Sequence, residues 1–303
     1  MEDIKVALCA IGRIENRYAV EFVEYYKQLG FDKIFVLDNN RDGEEHFQDV
    51  LQPYIDEGFV IVKDFRNRCE FKSQVHIYTE MYYELSSQFD WIAYFDFDEF
   101  LYLEHDKDIK SYLNRPEFLC FNQILVNWKI YTDNNLIYDD GRTCLERFTT
   151  PMETNKCVEY LYHAENKHVK PIIRTRLPEI FIDIPHNFID GTPPANFKQT
   201  VLFETTCNAS GEQCRNHFMI DINYEKAYLK HFTTKTIDEF LTNKYAKGVG
   251  DRDINMFYAT YPIERFFKYN ELTPEKMEYL KEKGININID KIQNWWFNWE
   301  KDN

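Results

Sequence analysis

Tyr94-Phe95-Asp96-Phe97-Asp98-Glu99-Phe100 is the stretch that decides the fold. It follows the apolar run Trp91-Ile92-Ala93, so it reads as a buried strand that ends abruptly in carboxylates. Three acidic groups at one strand end repel one another unless a cation sits between them. Asp96 and Asp98 share a face if the strand continues, because side chains alternate with period two. Hard oxygen donors so spaced suit Mn2+ or Mg2+, and such ions bridge proteins to diphosphates. The expectation is an enzyme that handles a nucleotide. The plainer alternative is a charged loop after an ordinary strand.

Upstream of that stretch, strands and helices alternate. Residues 5–9 read as a first strand. Tyr18, Phe22, Tyr25 and Tyr26 then fall at helical spacing, and Gly30 closes that helix. Residues 33–37 form a second strand that ends at Asp38-Asn39-Asn40-Arg41-Asp42-Gly43. A short helix reaching Leu51, a strand at 59–62, a helix at 74–85 and a strand at 92–95 follow. Short links between alternating elements indicate right-handed crossovers and a parallel sheet. Ligands of such sheets bind at the carboxyl ends of strands, where Asp38, Asp96 and Asp98 all fall.

After Pro116 the pattern turns irregular and antiparallel, with apolar segments at 121–128 and 169–174 and a helix-like stretch at 224–230. Thr236 and Glu239 form a capping box. Thr273 caps a second helix, with Pro274 in its first position, Leu272 able to staple to Met277, and Gly284 ending it. Three parts are expected: 1–115 as a donor-binding half, 116–250 as an acceptor-binding half of the same domain, and 251–303 as a C-terminal helical extension.

The chain has 303 residues, of which 44% are hydrophobic and 17% aromatic, enough for a large core. With 51 acidic and 36 basic residues the formal charge is -15, and no Lys/Arg cluster suited to a phosphate backbone appears. Nucleic acid is therefore not an expected partner. No apolar stretch is long enough to span a bilayer, and residues 1–5 do not read as a signal peptide. The seven cysteines are scattered, Cys9, Cys120 and Cys144 beside apolar residues, and Cys207 and Cys214 lack zinc-knuckle spacing. Buried, reduced thiols in a cytoplasmic protein are expected.

Taken in order, these motifs resemble a GT-A glycosyltransferase of family 92 and the bacterial family-2-like glycosyltransferases related to it. The resemblance runs from about Val6 to Gly248. Its carriers are Asp38-Asn39-Asn40-Arg41-Asp42, Gln74, Asp96-Phe97-Asp98-Glu99-Phe100, Trp128 and Arg147-Phe148. They continue with Lys170-Pro171-Ile172-Ile173-Arg174, Pro185-His186, and His231 through Lys235-Thr236 to Glu239-Phe240. Ile11-Gly12-Arg13-Ile14-Glu15-Asn16 departs from the family's usual Lys-Asn-Glu turn.

The resemblance implies an α/β fold of GT-A (Rossmann-like) type, with a mostly parallel central sheet flanked by helices, an irregular acceptor half and a C-terminal helical extension. It implies metal-dependent transfer of a sugar, with galactose from UDP-galactose favoured, to a glycan hydroxyl with inversion. Cell-surface polysaccharide or glycolipid synthesis is the implied setting. The acceptor is a glycan or a lipid-linked oligosaccharide.

Under that reading Asp96, Asp98 and His231 bind Mn2+ (or Mg2+), with His186 the rival third ligand. Asp38, Gln74, Asp96 and Lys235 contact the UDP-sugar. Lys235 would reach the diphosphate beside the helix that Thr236 caps. Inversion needs a general base, for which Glu146, Asp183 and Asp190 are alternatives. Several residues also have plainer roles: Asp38 and Asp42 as turn caps, Trp128 as core, Lys170 and Arg174 as a solvated strand edge.

Two rivals remain open at this level. Asp96-Phe97-Asp98 with Gly250-Asp251-Arg252-Asp253 superficially resembles a haloacid-dehalogenase-type phosphatase, although Glu99 departs from that motif. The other is a catalytically inactive, carbohydrate-binding GT-A domain. Ile292, Trp295, Trp296 and Trp299 share a face if 291–299 is helical. That face would either dock on the protein's own core or rest peripherally on the inner face of the cell membrane.

Overall fold

A computed structural model describes residues 3–68, 72–153, 165–192, 196–197, 201–214, 221–245 and 263–289. The expected tail helix at 291–299 and the acidic motif at 250–253 lie outside them. The fold is mixed α/β, with a central sheet flanked by helices, the arrangement expected for the GT-A class.

The strands are β1 (Val6–Gly12), β2 (Lys33–Asp38), β3 (Val60–Asp64), β4 (Trp91–Tyr94), β5 (Glu99–Leu103), β6 (Gln123–Ile130), β7 (Val169–Arg174), β8 (Ile180–Ile184), β9 (Asn187–Thr192), β10 (Asn196–Phe197), β11 (Thr206–Asn208) and β12 (Ala227–His231). The helices α1 (Asn16–Gln28), α2 (Gln48–Asp56) and α3 (Ser73–Leu85) separate the first four strands. The chain divides into two compact units.

The first unit, Met1–Lys129 with Lys156–His231, holds the central sheet. Its order is β3-β2-β1-β4-β7-β6-β12-β5, with β11 beside β6. β3, β2, β1 and β4 run parallel; β7 then pairs antiparallel to both β4 and β6, and β12 antiparallel to β5. The parallel strands are near-continuous apolar runs because helices cover them. α3 packs Val75, Ile77, Tyr78, Met81, Tyr82 and Leu85 against Ala7, Cys9, Leu37 and Ile92. α1 buries Tyr18, Phe22 and Tyr26 at helical spacing, and Gly30 leaves it at φ 88°, a conformation that favours glycine.

Gly12 ends β1 for a different reason. A Cβ there would meet the Phe97 ring at 2.5 Å and the Phe47 ring at 2.7 Å. Phe97 thus packs tightly between Phe22 and Phe47, with ring centroids 4.8 and 5.2 Å away. This anchors the acidic turn to the rim where β1 and β2 end.

Some local expectations are corrected. Residues 227–231 are strand β12 rather than helix, because Ala227, Tyr228 and Leu229 pair with Leu103, Tyr102 and Leu101 of β5. α2 does not stop near Leu51 but continues through Pro53 to Asp56. Cys9, Cys144 and Cys207 are buried free thiols, but Cys120 is exposed in the turn ahead of β6.

The second unit comprises Ile130–Asn155 and Phe232–Asn303. Its core gathers Ile237, Phe240, Ile263, Phe266, Phe267, Tyr279 and Leu280. The Thr236/Glu239 box forms as expected, and Thr273 caps the helix Pro274–Glu282 through the N–H of Lys276. The Leu272–Met277 staple is not part of this core: Met277 is 42% exposed, while Leu272 packs against the cluster. Arg147 and Glu239 form a buried two-point pair, at 2.7 and 3.0 Å. The first unit takes in β7 and β12, which return to its sheet. Among the described residues, no helix is long and apolar enough to cross a membrane.

Candidate metal and donor site

β4 ends at Tyr94, and the chain turns at once. Glu99 N–H donates to the Asp96 carbonyl at 3.0 Å, and the Glu99 carboxylate accepts from Asp96 N–H at 2.9 Å. The two residues cap each other across a tight turn, while Phe95 and Phe97 are buried. Asp96 and Asp98 therefore do not alternate along a continuing strand. Glu99 instead opens β5, where it stands directly opposite His231 of β12. Opposed residues of an antiparallel pair face the same side.

This register assembles a group that the period-two argument missed. Asp98, Glu99 and His231, all buried, each offer a ligand atom, and these atoms lie within 4.8 Å of one another. His231 Nε2 is 3.6 Å from Asp98 Oδ1. Glu99 Oε1 is buried, accepts no hydrogen bond from any described residue, and has Lys170 Nζ at 3.6 Å. Burial pushes the Glu99 carboxyl well above the carboxylate range; Lys170 opposes the shift, and Asp96 and Asp98 add to it. Two carboxylates and an imidazole, one oxygen of them short of partners, fit a divalent cation, and the imidazole favours Mn2+ over Mg2+.

Asp96 has a different partner. Its Oδ2 accepts from Lys170 Nζ at 2.6 Å, and its Oδ1 lies 3.4 Å from both Gln74 Nε2 and Tyr78 Oη. Lys170 is not on a solvated edge: it is buried on β7, between β4 and β6. Burial works against its charge, but Asp96 and Glu99 hold its pKa above the ordinary lysine value. Pro171 fits this strand because pairing to β4 stops at Ile172, leaving the proline one neighbour, β6. Arg174 lies over the Trp91 ring and donates to the Phe121 carbonyl.

Trp128 packs among three histidines. Its ring lies 4.2 Å from His231, 4.9 Å from His168 in a stacked arrangement, and 5.3 Å from His186. His186 Nδ1 bonds the Val169 carbonyl at 2.8 Å, and His186 is not in the three-residue ligand group.

Asp38 is brought to the same rim but is engaged. Its Oδ1 accepts from Asn40 N–H and from the Asn40 amide, and its Oδ2 pairs with Arg66 at 3.1 Å. Asp42 accepts from the Asn67 amide. Arg13 forks onto Glu44 and holds that carboxyl below its usual range.

Lys235 belongs to the second unit, where it is buried with φ 54°. Glu146 is also there, exposed, closing a capping box with Thr143; those hydrogen bonds hold it below the ordinary carboxylate range. Asp183 and Asp190 lie on the antiparallel pair β8 and β9, Asp190 opposite Ile180.

With the site in view, comparison with known proteins places the chain. The model of glycosyltransferase family 92 matches residues 5–245. The chain belongs to glycosyltransferase family 92. That span takes in the acidic turn, β12 and both ends of Lys235-Thr236. Two solved structures show weak similarity. The crystal structure of S. aureus TarS matches at 12% identity and TM-score 0.32, over 45% of this chain and 23% of that one. The crystal structure of S. aureus TarS 1-349 matches at 13% identity and TM-score 0.41, over 99% and 74%. The chain thus spans 23% of the length of the first. No curated protein matches.

Lys170 and Glu99 stand in the quoted motifs, but sequence reasoning gave neither a role in the site. A lysine inside the apolar run Val169 to Ile173 was the available signal for the first. For the second it was Glu99 directly following Asp98.

Proposed function

We propose that this family 92 protein transfers a sugar from a nucleotide donor to a glycan hydroxyl with the help of Mn2+. The observation that carries the reading is the Asp98–Glu99–His231 group at the strand-end rim, with a Glu99 oxygen short of hydrogen bonds. Asp98, Glu99 and His231 would hold the ion. When bound, it supplies Lewis-acid neutralisation of the leaving diphosphate. Lys170 keeps Asp96 and Glu99 in place from β7, and Gln74 and Tyr78 hold the other Asp96 oxygen. Asp38 and Gln74 are taken as contacts for the nucleoside, and Lys235 for a phosphate, on the family resemblance.

The donor we favour is UDP-galactose, with inversion at the sugar. A general base must then take the acceptor proton. Glu146 is a poor candidate, because its capping hydrogen bonds already favour the charged form and weaken it as a base. Asp183 and Asp190 stand ahead of it. The acceptor we favour is a cell-surface glycan or lipid-linked oligosaccharide, met in the cytoplasm at the inner membrane face through 291–299. Liposome flotation with and without residues 290–303 tests that contact, and equal flotation rules it out.

UDP should raise the melting temperature far more with Mn2+ than in EDTA, because only the native site binds it. Asp98→Asn should abolish the Mn2+-dependent part. Equal stabilisation in EDTA would overturn the metal-dependent reading. A screen of nucleotide sugars for Mn2+-dependent hydrolysis then names the donor, and absence of turnover with every donor would favour the inactive, carbohydrate-binding alternative. The family match sets the phosphatase reading aside.

A further inference from the structure

Lys170 stands among more negative charge than it can neutralise. Its Nζ is 2.6 Å from Asp96 Oδ2 and 3.6 Å from Glu99 Oε1, and Asp98 shares the same turn. With all three carboxylates ionised, one ammonium leaves a surplus of two negative charges, which a divalent cation would cancel; without the ion, burial pushes the Glu99 carboxyl well above the carboxylate range. Glu99 belongs to both arrangements: it faces Lys170, and it sits in the ligand group with Asp98 and His231. A lysine and a metal ion that share one carboxylate repel each other, and a protein interior screens that repulsion far less than water does.

We propose that Lys170 is the resident counter-cation of the acidic turn, holding Asp96 and Glu99 in place without metal and competing with the divalent ion, so that the ion exchanges readily. The inference rests on the metal reading above and adds a positioning residue to it. Lys170 sits at 1% exposure on a strand whose Val169, Ile172 and Ile173 are fully buried. An ammonium is costly to bury there unless carboxylates face it. The arrangement keeps the fold independent of metal and tempers the site's affinity for the ion.

The test compares wild type, Lys170→Met and Asp98→Asn in two measurements. One is Mn2+ affinity, from loss of the free-ion electron paramagnetic resonance signal. The other is Tm in EDTA. Wild type should bind Mn2+, and Asp98→Asn should lose most of that binding. Lys170→Met should bind roughly tenfold more tightly, since a competing charge is gone. Its Tm in EDTA should nevertheless fall by several degrees, because buried Glu99 and part-exposed Asp96 lose their partner. A lysine with a merely structural role would lower stability and metal affinity together.

Equal or weaker Mn2+ binding by Lys170→Met, with wild type binding and Asp98→Asn impaired, overturns the competition and leaves the metal site standing. Binding by Lys170→Met alone supports it in its strongest form. No binding by either overturns both the metal reading and this inference. Should Lys170→Met be unfolded in EDTA, Mn2+ is expected to restore a cooperative transition by replacing the lost charge, and failure to restore it refutes the proposal.

Discussion

Glu239 and Glu99 are both buried carboxylates, at 1% and 0% exposure, yet their surroundings treat them in opposite ways. Glu239 meets the Arg147 guanidinium at two points and also closes the Thr236 capping box. Its oxygens are satisfied by planar, two-point geometry. Glu99 shares a single lysine with Asp96 and keeps one buried oxygen without a hydrogen bond. Both groups bear a cost of burial. Only the first has a matched partner, and the mismatch at the second marks a place where a ligand is expected.

The sharpest way to break this contrast is Arg147→Met. It strands a buried carboxylate, so unfolding in urea should show a loss of about 3–5 kcal/mol. A loss below about 1 kcal/mol would show that the pair is not the structural unit described. Next comes His231→Ala, which removes a proposed metal ligand rather than a structural partner. Turnover at saturating Mn2+ should fall about a hundredfold or more, consistent with about 2.7–4 kcal/mol for one lost electrostatic stabiliser. Near wild-type turnover, with a large loss in His186→Ala, would transfer the role to His186.

Asp98→Asn reverses the sign expected of a buried pair. In EDTA at pH 8, removing one of three clustered carboxylates should raise stability, by about 1 kcal/mol or less. Melting in EDTA checks this, and a clear loss would mean the carboxylates are already balanced. The smallest effect belongs to the partly buried pair of Arg13 and Glu44. Hydrogen bonds from Arg13 lower the Glu44 pKa below its ordinary 4.5. Its contribution is therefore present above that value and lost as pH falls through the lower, folded pKa. Glu44→Gln should cost about 0.2–1 kcal/mol at pH 7 and nothing once both states are protonated. A pH-independent cost would refute the linkage.

Much of the fold was legible because local rules agreed with tertiary demands. Val6 to Ala10 and Trp91 to Tyr94 are apolar without a break, and they became buried parallel strands. Thr236 and Thr273 announced their helices through side chains that cap backbone N–H groups, an interaction completed within four residues. The stretch ahead of His231 was misread as helix because its apolar spacing is short and ambiguous. Pairing with β5, more than a hundred residues upstream, settled it as strand.

What the sequence by itself determined is the α/β alternation, the acidic end of the fourth strand and the family to which the chain belongs. What only the tertiary structure decided is which acid stands with which partner. Phe97 locks between Phe22 and Phe47, and that packing turns the chain at Asp96. The β5–β12 register then sets Glu99 opposite His231, while β7 brings Lys170 to Asp96. Each of these joins residues far apart in the chain, and a spacing rule within one strand carries no information about its neighbours.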